Sequence, residues 1–120
     1  MKLEVGQFAR LKSGYICKII NINDFREPNM KYGVEANYLK DVMFIGDDDV
    51  VKASYNIIDI LEKGDYVNGC YIQEIKSLKD NVMVCMLDSD YEFVSTITNK
   101  DIKSIVTHEQ MEQMAYKVGE

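Results

Sequence analysis

An internal repeat constrains this chain more than any other feature of its sequence. Leu3, Glu4, Gly6 and Phe8 recur 58 residues later as Leu61, Glu62, Gly64 and Tyr66. Tyr15, Ile16 and Ile19 recur as Tyr71, Ile72 and Ile75, at an offset of 56. The two-residue difference falls in the intervening turn, where length is least constrained. A repeat of this period divides the 120 residues into two similar halves, 1–60 and 61–120. Neither half is large enough to be robust alone. The halves are therefore expected to form one cooperative unit, joined at the apolar segment Ile57–Leu61.

The repeated pattern describes β structure. Gly6 and Gly64 each precede a short alternating strand, where glycine lets the chain turn sharply. A turn follows, Lys12-Ser13-Gly14 in one half and Asn68-Gly69 in the other. Asn-Gly is a strong hairpin signal. The β-branched runs Tyr15–Ile22 and Tyr71–Ser77 then read as longer strands. After the turn at Lys79-Asp80-Asn81, the run Val82–Leu87 is apolar on both faces and reads as a central strand. Its core residues are Val84 and Met86, or else Met83 and Cys85. Asp49–Lys52 resembles Asp101–Lys103 as a closing strand, and a helical segment follows each. The first helical segment is 55–61. The second is 108–115, where Thr107 and Gln110 form a capping box. Met111, Met114 and Ala115 share a face of that helix, which reads as core packing. The expected fold is mainly β with short helices. It comprises two tandem small antiparallel barrels from an internal duplication, each followed by a short helix. Their openings resemble barrels of the Src-homology-3 or KOW type.

Composition narrows the class. Hydrophobic residues make up 47% and charged residues 28%, which is enough apolar side chain to exclude disorder. No apolar run approaches the roughly 20 residues of a membrane helix. The opening Met1–Gly6 carries an acidic residue where a signal peptide is apolar, so a cytosolic location is expected. The net charge is −6, with −1 in residues 1–60 and −5 in residues 61–120. That balance disfavours direct nucleic-acid binding and anionic membranes, and favours a basic protein partner. Three cysteines, no C-x-x-C and a single histidine suggest neither a disulfide framework nor a zinc site.

No chemistry-bearing motif stands out. Phosphate loops, G-x-G-x-x-G and G-x-S-x-G are absent from the sequence, and no nucleophile or general base is marked. An enzyme is not expected, nor is a cofactor or metal. Asp47-Asp48-Asp49 reads as a solvated turn. Two segments read as contact surfaces for a partner. One is the acidic loop after the central strand, with Asp88, Asp90, Tyr91 and Glu92 and with Tyr91 as aromatic anchor. The other is Asn23–Lys31, with Phe25 and Arg26. Arg10, Lys12 and Arg26 could instead supply a basic pocket for a small nucleotide.

Three segments carry a resemblance. Val51–Gly69 (VKASYNIIDILEKGDYVNG), Asp101–Met111 (DIKSIVTHEQM) and the opening Val5–Arg10 resemble small accessory proteins of phages and prophages of Gram-positive bacteria. The resemblance covers about half the chain and is most specific around 51–69. It brings no catalytic residues. It implies a phage-encoded accessory protein, and many of those act against host defence. Together with the acidic second half and the absence of catalytic motifs, it sets the expected function: a non-catalytic protein in the host bacterial cytoplasm that inhibits an antiviral defence system by binding one of its proteins. A sponge for a nucleotide immune signal and a nucleic-acid or virion-associated small-barrel module are the alternatives.

Overall fold

Gly6 and Gly64 each turn the chain into the first strand of its half, with φ of +96° and +95°. An L side chain rarely adopts this backbone conformation. The computed structural model describes residues 2–36, 40–77, 82–88 and 91–114. It divides into two compact units, Met1–Ile60 and Leu61–Glu120. The first unit holds β1 (Phe8–Leu11), β2 (Ile16–Ile22), β3 (Tyr32–Glu35), β4 (Met43–Ile45) and β5 (Val50–Ser54). The second holds β6 (Tyr66–Val67), β7 (Cys70–Ser77), β8 (Val82–Asp88), β9 (Tyr91–Ile97), β10 (Ile105–Val106) and the helix α1 (His108–Met114). Short 3-10 turns lie at Pro28–Met30, Asp47–Asp49, Ile57–Ile60 and Asn99–Asp101.

Each unit is one five-stranded antiparallel sheet, ordered β4-β3-β2-β1-β5 in the first and β9-β8-β7-β6-β10 in the second. The two orders are the same when strands are counted within each unit. Both sheets are open among the described residues, with β4 and β5 as edges of one and β9 and β10 of the other. Local details match too. Gly6 donates its N–H to the Ile19 carbonyl, and Ile19 donates to the Gln7 carbonyl. Gly64 and Ile72 repeat this with Asp65 in place of Gln7. A bulge breaks the register between Ile19 and Asn21 in β2, and between Ile72 and Glu74 in β7. A bulge bends its strand and increases its twist. Before each fifth strand an aspartate caps a 3-10 turn: Gly46 N–H to Asp49 at 2.9 Å, and Thr98 N–H to Asp101 at 2.7 Å.

These hydrogen bonds correct the sequence alignment of the repeat. Ile19 is equivalent to Ile72, not to Ile75. The offset thus falls from 58 at Gly6/Gly64 to 53 at Ile19/Ile72, so the second hairpin is five residues shorter rather than two. The reason is the turn. Asn68 and Gly69, at φ of +53° and +83°, reverse the chain in two residues between strands paired at Val67 and Cys70.

The core follows the period-two pattern of the strands. In the first unit Leu3, Ala9, Leu11, Cys17, Ile19, Tyr32, Val34, Ile45 and Val50 cluster together. In the second, Leu61, Val67, Ile72, Val84, Met86 and Ile97 are buried. Leu3/Leu61, Ala9/Val67 and Ile19/Ile72 occupy equivalent places. Val84 and Met86 are the buried pair on β8, while Met83 is half-buried. The Cys85 side chain lies outside the described residues, as do Lys79-Asp80-Asn81 and Ala115.

The methionine face of α1 is not core. Met111 is exposed and Met114 is 79% exposed, and the helix buries none of its residues. The helix is held instead by polar contacts at its start. Thr107 is fully buried, donates its N–H to Gln110 Oε1 at 3.0 Å, and accepts the Gln110 N–H on its hydroxyl at 3.3 Å.

Candidate functional site

The loop between β2 and β3 is braced from inside. Asn23 donates its N–H to the Lys31 carbonyl, and its side-chain oxygen accepts the Phe25 N–H, both at 2.9 Å. Arg26 donates from Nη2 to the Lys31 carbonyl at 3.1 Å and lays its guanidinium over the Phe44 ring, 4.7 Å from the centroid. A Cβ on Gly46 would come within 2.5 Å of the Pro28 carbonyl oxygen, so backbone packs directly on backbone there. Lys31 pairs with Asp24 at 3.3 Å. The bracing leaves Phe25 100% exposed at the tip. Met30 and Phe44 are also exposed. The structure thus joins Phe25 and Arg26 to a further aromatic, Phe44, which sequence reasoning missed because it comes from edge strand β4.

The second contact segment is the β8–β9 hairpin. Asp88 pairs with Tyr91 in the ladder. Tyr91 is 69% exposed and stacks on Phe93 with ring centroids 5.9 Å apart. Glu92 is exposed and accepts a hydrogen bond from Gln73 at 3.2 Å. Asp90 lies outside the described residues, as does the side chain of Asp88.

The basic set for a nucleotide is not assembled. Arg10 is fully buried on β1, and its Nη1 donates to the Ile60 carbonyl at 3.0 Å. A guanidinium committed to an internal carbonyl cannot form the wall of a surface pocket, so Arg10 leaves that set. Lys12 is exposed in the β1–β2 turn, and Arg26 is packed on Phe44. A cleft of about 440 Å³ in the first unit carries Lys18 and Lys40, but also Glu35 and Asp41. Those formal charges cancel, which is no field for an anion.

Asp47-Asp48-Asp49 forms a capped turn. Asp47 accepts the Tyr32 hydroxyl at 2.6 Å, and Asp49 accepts the Gly46 N–H. Burial and the neighbouring Asp47 carboxylate raise the Tyr32 pKa.

One cluster was not legible in the sequence. The sole histidine, His108, opens α1, and its Nε2 lies 2.9 Å from Glu62 Oε1 and 2.8 Å from Glu109 Oε1. The three ligand atoms all lie within 4.8 Å of one another. The side chains are half-buried, at 40% exposure for His108, 26% for Glu62 and 21% for Glu109. Beneath them sits Asp65, fully buried, which accepts the Glu62 N–H at 2.8 Å and the His108 N–H at 3.0 Å. One carboxylate therefore holds together two backbone segments 46 residues apart. Gly64 admits the histidine: a Cβ there would lie 3.3 Å from His108 Cβ. In the first unit the ring beside Gly6 is Tyr55. Burial, then the Glu4 carboxylate that its hydroxyl bonds, raises the Tyr55 pKa. The repeat offers Glu4, Tyr55 and Asn56 where the second unit has Glu62, His108 and Glu109. The Glu4/Glu62 match was a visible signal, but the histidine arrives only through the β10–β6 pairing.

Among the described residues no helix is long and apolar enough to cross a membrane. Comparison with protein-family models, curated proteins and solved structures finds no match.

Proposed function

We propose that this chain is a non-catalytic binding protein of the phage accessory type, which inhibits a host antiviral defence system by binding one of its proteins. The observation that carries the reading is the fully exposed Phe25 on a braced loop. Single exposed apolar residues are ordinary. Here, however, Phe25, Arg26 and Phe44 are presented on a backbone already braced, and aromatic residues and arginine are enriched at protein interfaces. A braced loop also loses little entropy on binding. The acidic second half, with Tyr91 and Glu92 exposed on a hairpin, suits a partner with basic surface. The shared strand order, bulge position and glycine geometry of the two units support the finer fold reading. By that reading the units are small barrels of Src-homology-3 type, derived by duplication.

The test is protection of phage growth in a host carrying the defence system, with cellular abundance of each variant measured in parallel. Phe25→Ala and Phe25→Glu should fold normally and lose protection, and a purified defence protein should bind them at least tenfold more weakly. Full protection by Phe25→Glu at normal abundance would overturn the reading. Retained nucleotide in equilibrium dialysis, lost on Lys12→Glu, would favour the sponge instead.

A further inference from the structure

We propose that Glu62, His108 and Glu109 form a binding site for one divalent first-row transition-metal ion, of the zinc type. The proposal is independent of the partner-binding reading and rests on a different part of the chain. Its basis is convergence on a single atom. Two carboxylate oxygens approach the same imidazole nitrogen, His108 Nε2, at 2.8 and 2.9 Å. That nitrogen carries either one N–H or one lone pair. One N–H points along one line and cannot serve both oxygens well. An ion between the three atoms serves all of them. Ions of this class sit about 2.0–2.2 Å from N and O donors. Neighbouring donors around such an ion are then roughly 3.0–3.4 Å apart. The present spacing needs only small rotations of the carboxylates to open that space.

The donor set selects the ion. One imidazole and two carboxylates suit zinc and its neighbours, whereas calcium and magnesium prefer oxygen alone. There is no thiolate among the three, so the soft monovalent ions are not favoured. Three protein ligands with partial exposure leave a position for water or for a group on another molecule. The site is also built from below. Buried Asp65 grips the backbone N–H of both Glu62 and His108, and the Thr107–Gln110 box fixes the start of the helix that supplies His108 and Glu109. Such supporting contacts position ligands, and losing one typically lowers metal affinity about 10–100-fold. The first unit has the same backbone plan with Tyr55 and Asn56 in place of the histidine and second glutamate. It therefore serves as an internal control.

The single histidine makes the test unambiguous. Imidazole resonances of the full chain are followed by NMR during titration with zinc chloride, alongside calorimetry. One equivalent of zinc should shift the His108 signals and saturate. Excess magnesium should not displace it. Glu62→Gln, Glu109→Gln and His108→Gln should each weaken binding by at least about tenfold, whereas Glu4→Gln should bind as the parent does. Circular dichroism checks that each variant is folded, and Glu109→Gln, on the exposed helix, gives a readout if the others unfold. Absence of binding at millimolar zinc would overturn the proposal. So would binding that leaves the His108 signals unmoved or that survives the three substitutions. The cluster would then be a hydrogen-bonded contact of His108 with the two glutamates and no metal site.

Discussion

At the residue scale, two side chains show how local chemistry is settled by position. Asn68 sits at positive φ in a two-residue turn, and its side chain reaches across to the segment leading into β10. It donates to the Asp101 carbonyl at 2.7 Å and accepts the N–H groups of Lys103 and Ser104 at 2.8 and 3.1 Å. The turn signal was readable from Asn-Gly, but the clamp on residues 101–104 was not. Cys17 is buried on β2, and burial pushes its thiol from the usual 9.0 up to about 11. In the unfolded chain the thiol ionises first. Between those values the unfolded state therefore holds fewer protons, so stability falls as pH rises. The full contribution is present below pH 9 and is lost as pH passes through about 11. Two pKa units correspond to about 2–3 kcal/mol. Urea denaturation at pH 8, 9.5 and 11 should show Cys17→Ala losing less stability across this range than the parent, by roughly that amount. Parallel curves for the two proteins would contradict it.

At the element scale, β8 and β9 are adjacent strands with opposite fates. β8 is the second strand from the edge and buries Val84 and Met86 beneath the sheet. β9 is the edge and leaves Val94 largely exposed. Val84→Asp places a charge with no provision for it in the core, and should cost more than about 3 kcal/mol. Val94→Asp should stay within about 0.5 kcal/mol of the parent, and charge on an edge strand also discourages edge-to-edge association. Chemical denaturation of both variants measures the contrast. Similar losses at the two positions would mean that the assigned strand order is wrong. The run Val82–Leu87 is apolar on both faces, so its sequence left open whether Val84 and Met86 or Met83 and Cys85 face the core. Which of the two phases faced the core depended on the pairing of β8 with β7, and no local signal encodes that.

At the scale of the whole molecule, charge is the property that composition alone defines. The net of −6 is concentrated in residues 61–120, so a basic partner would be drawn toward the second half. Asp88→Lys, Asp90→Lys and Glu92→Lys together would bring the formal net charge from −6 to 0. Single exposed charge pairs contribute only about 0.2–1 kcal/mol, so one substitution should be nearly silent. The triple variant should bind a purified basic partner more slowly at low salt, and its association rate should lose most of its salt dependence. Stopped-flow or surface-based kinetics over a salt series measures this. An association rate unchanged at low ionic strength would remove the acidic hairpin from the interface.

What the sequence determined by itself is what neighbouring residues encode. Glycine at positive φ, the Asn68-Gly69 turn, the two-residue period of the strands and the Thr107–Gln110 cap all act over a few positions. They made the β-rich class and the start of α1 readable. The tertiary structure alone decided what depends on long-range pairing. It set the five-residue shortening of the second hairpin, the burial of Arg10 against the Ile60 carbonyl, and the exposure of Met111 and Met114. It also brought Glu62 and His108 together across 46 residues. A helical stripe records which residues share a face, but not whether another element covers that face. A lone histidine records a possible ligand, but its companions are chosen by the pairing of β10 with β6 and by one buried carboxylate, Asp65, that holds both backbones.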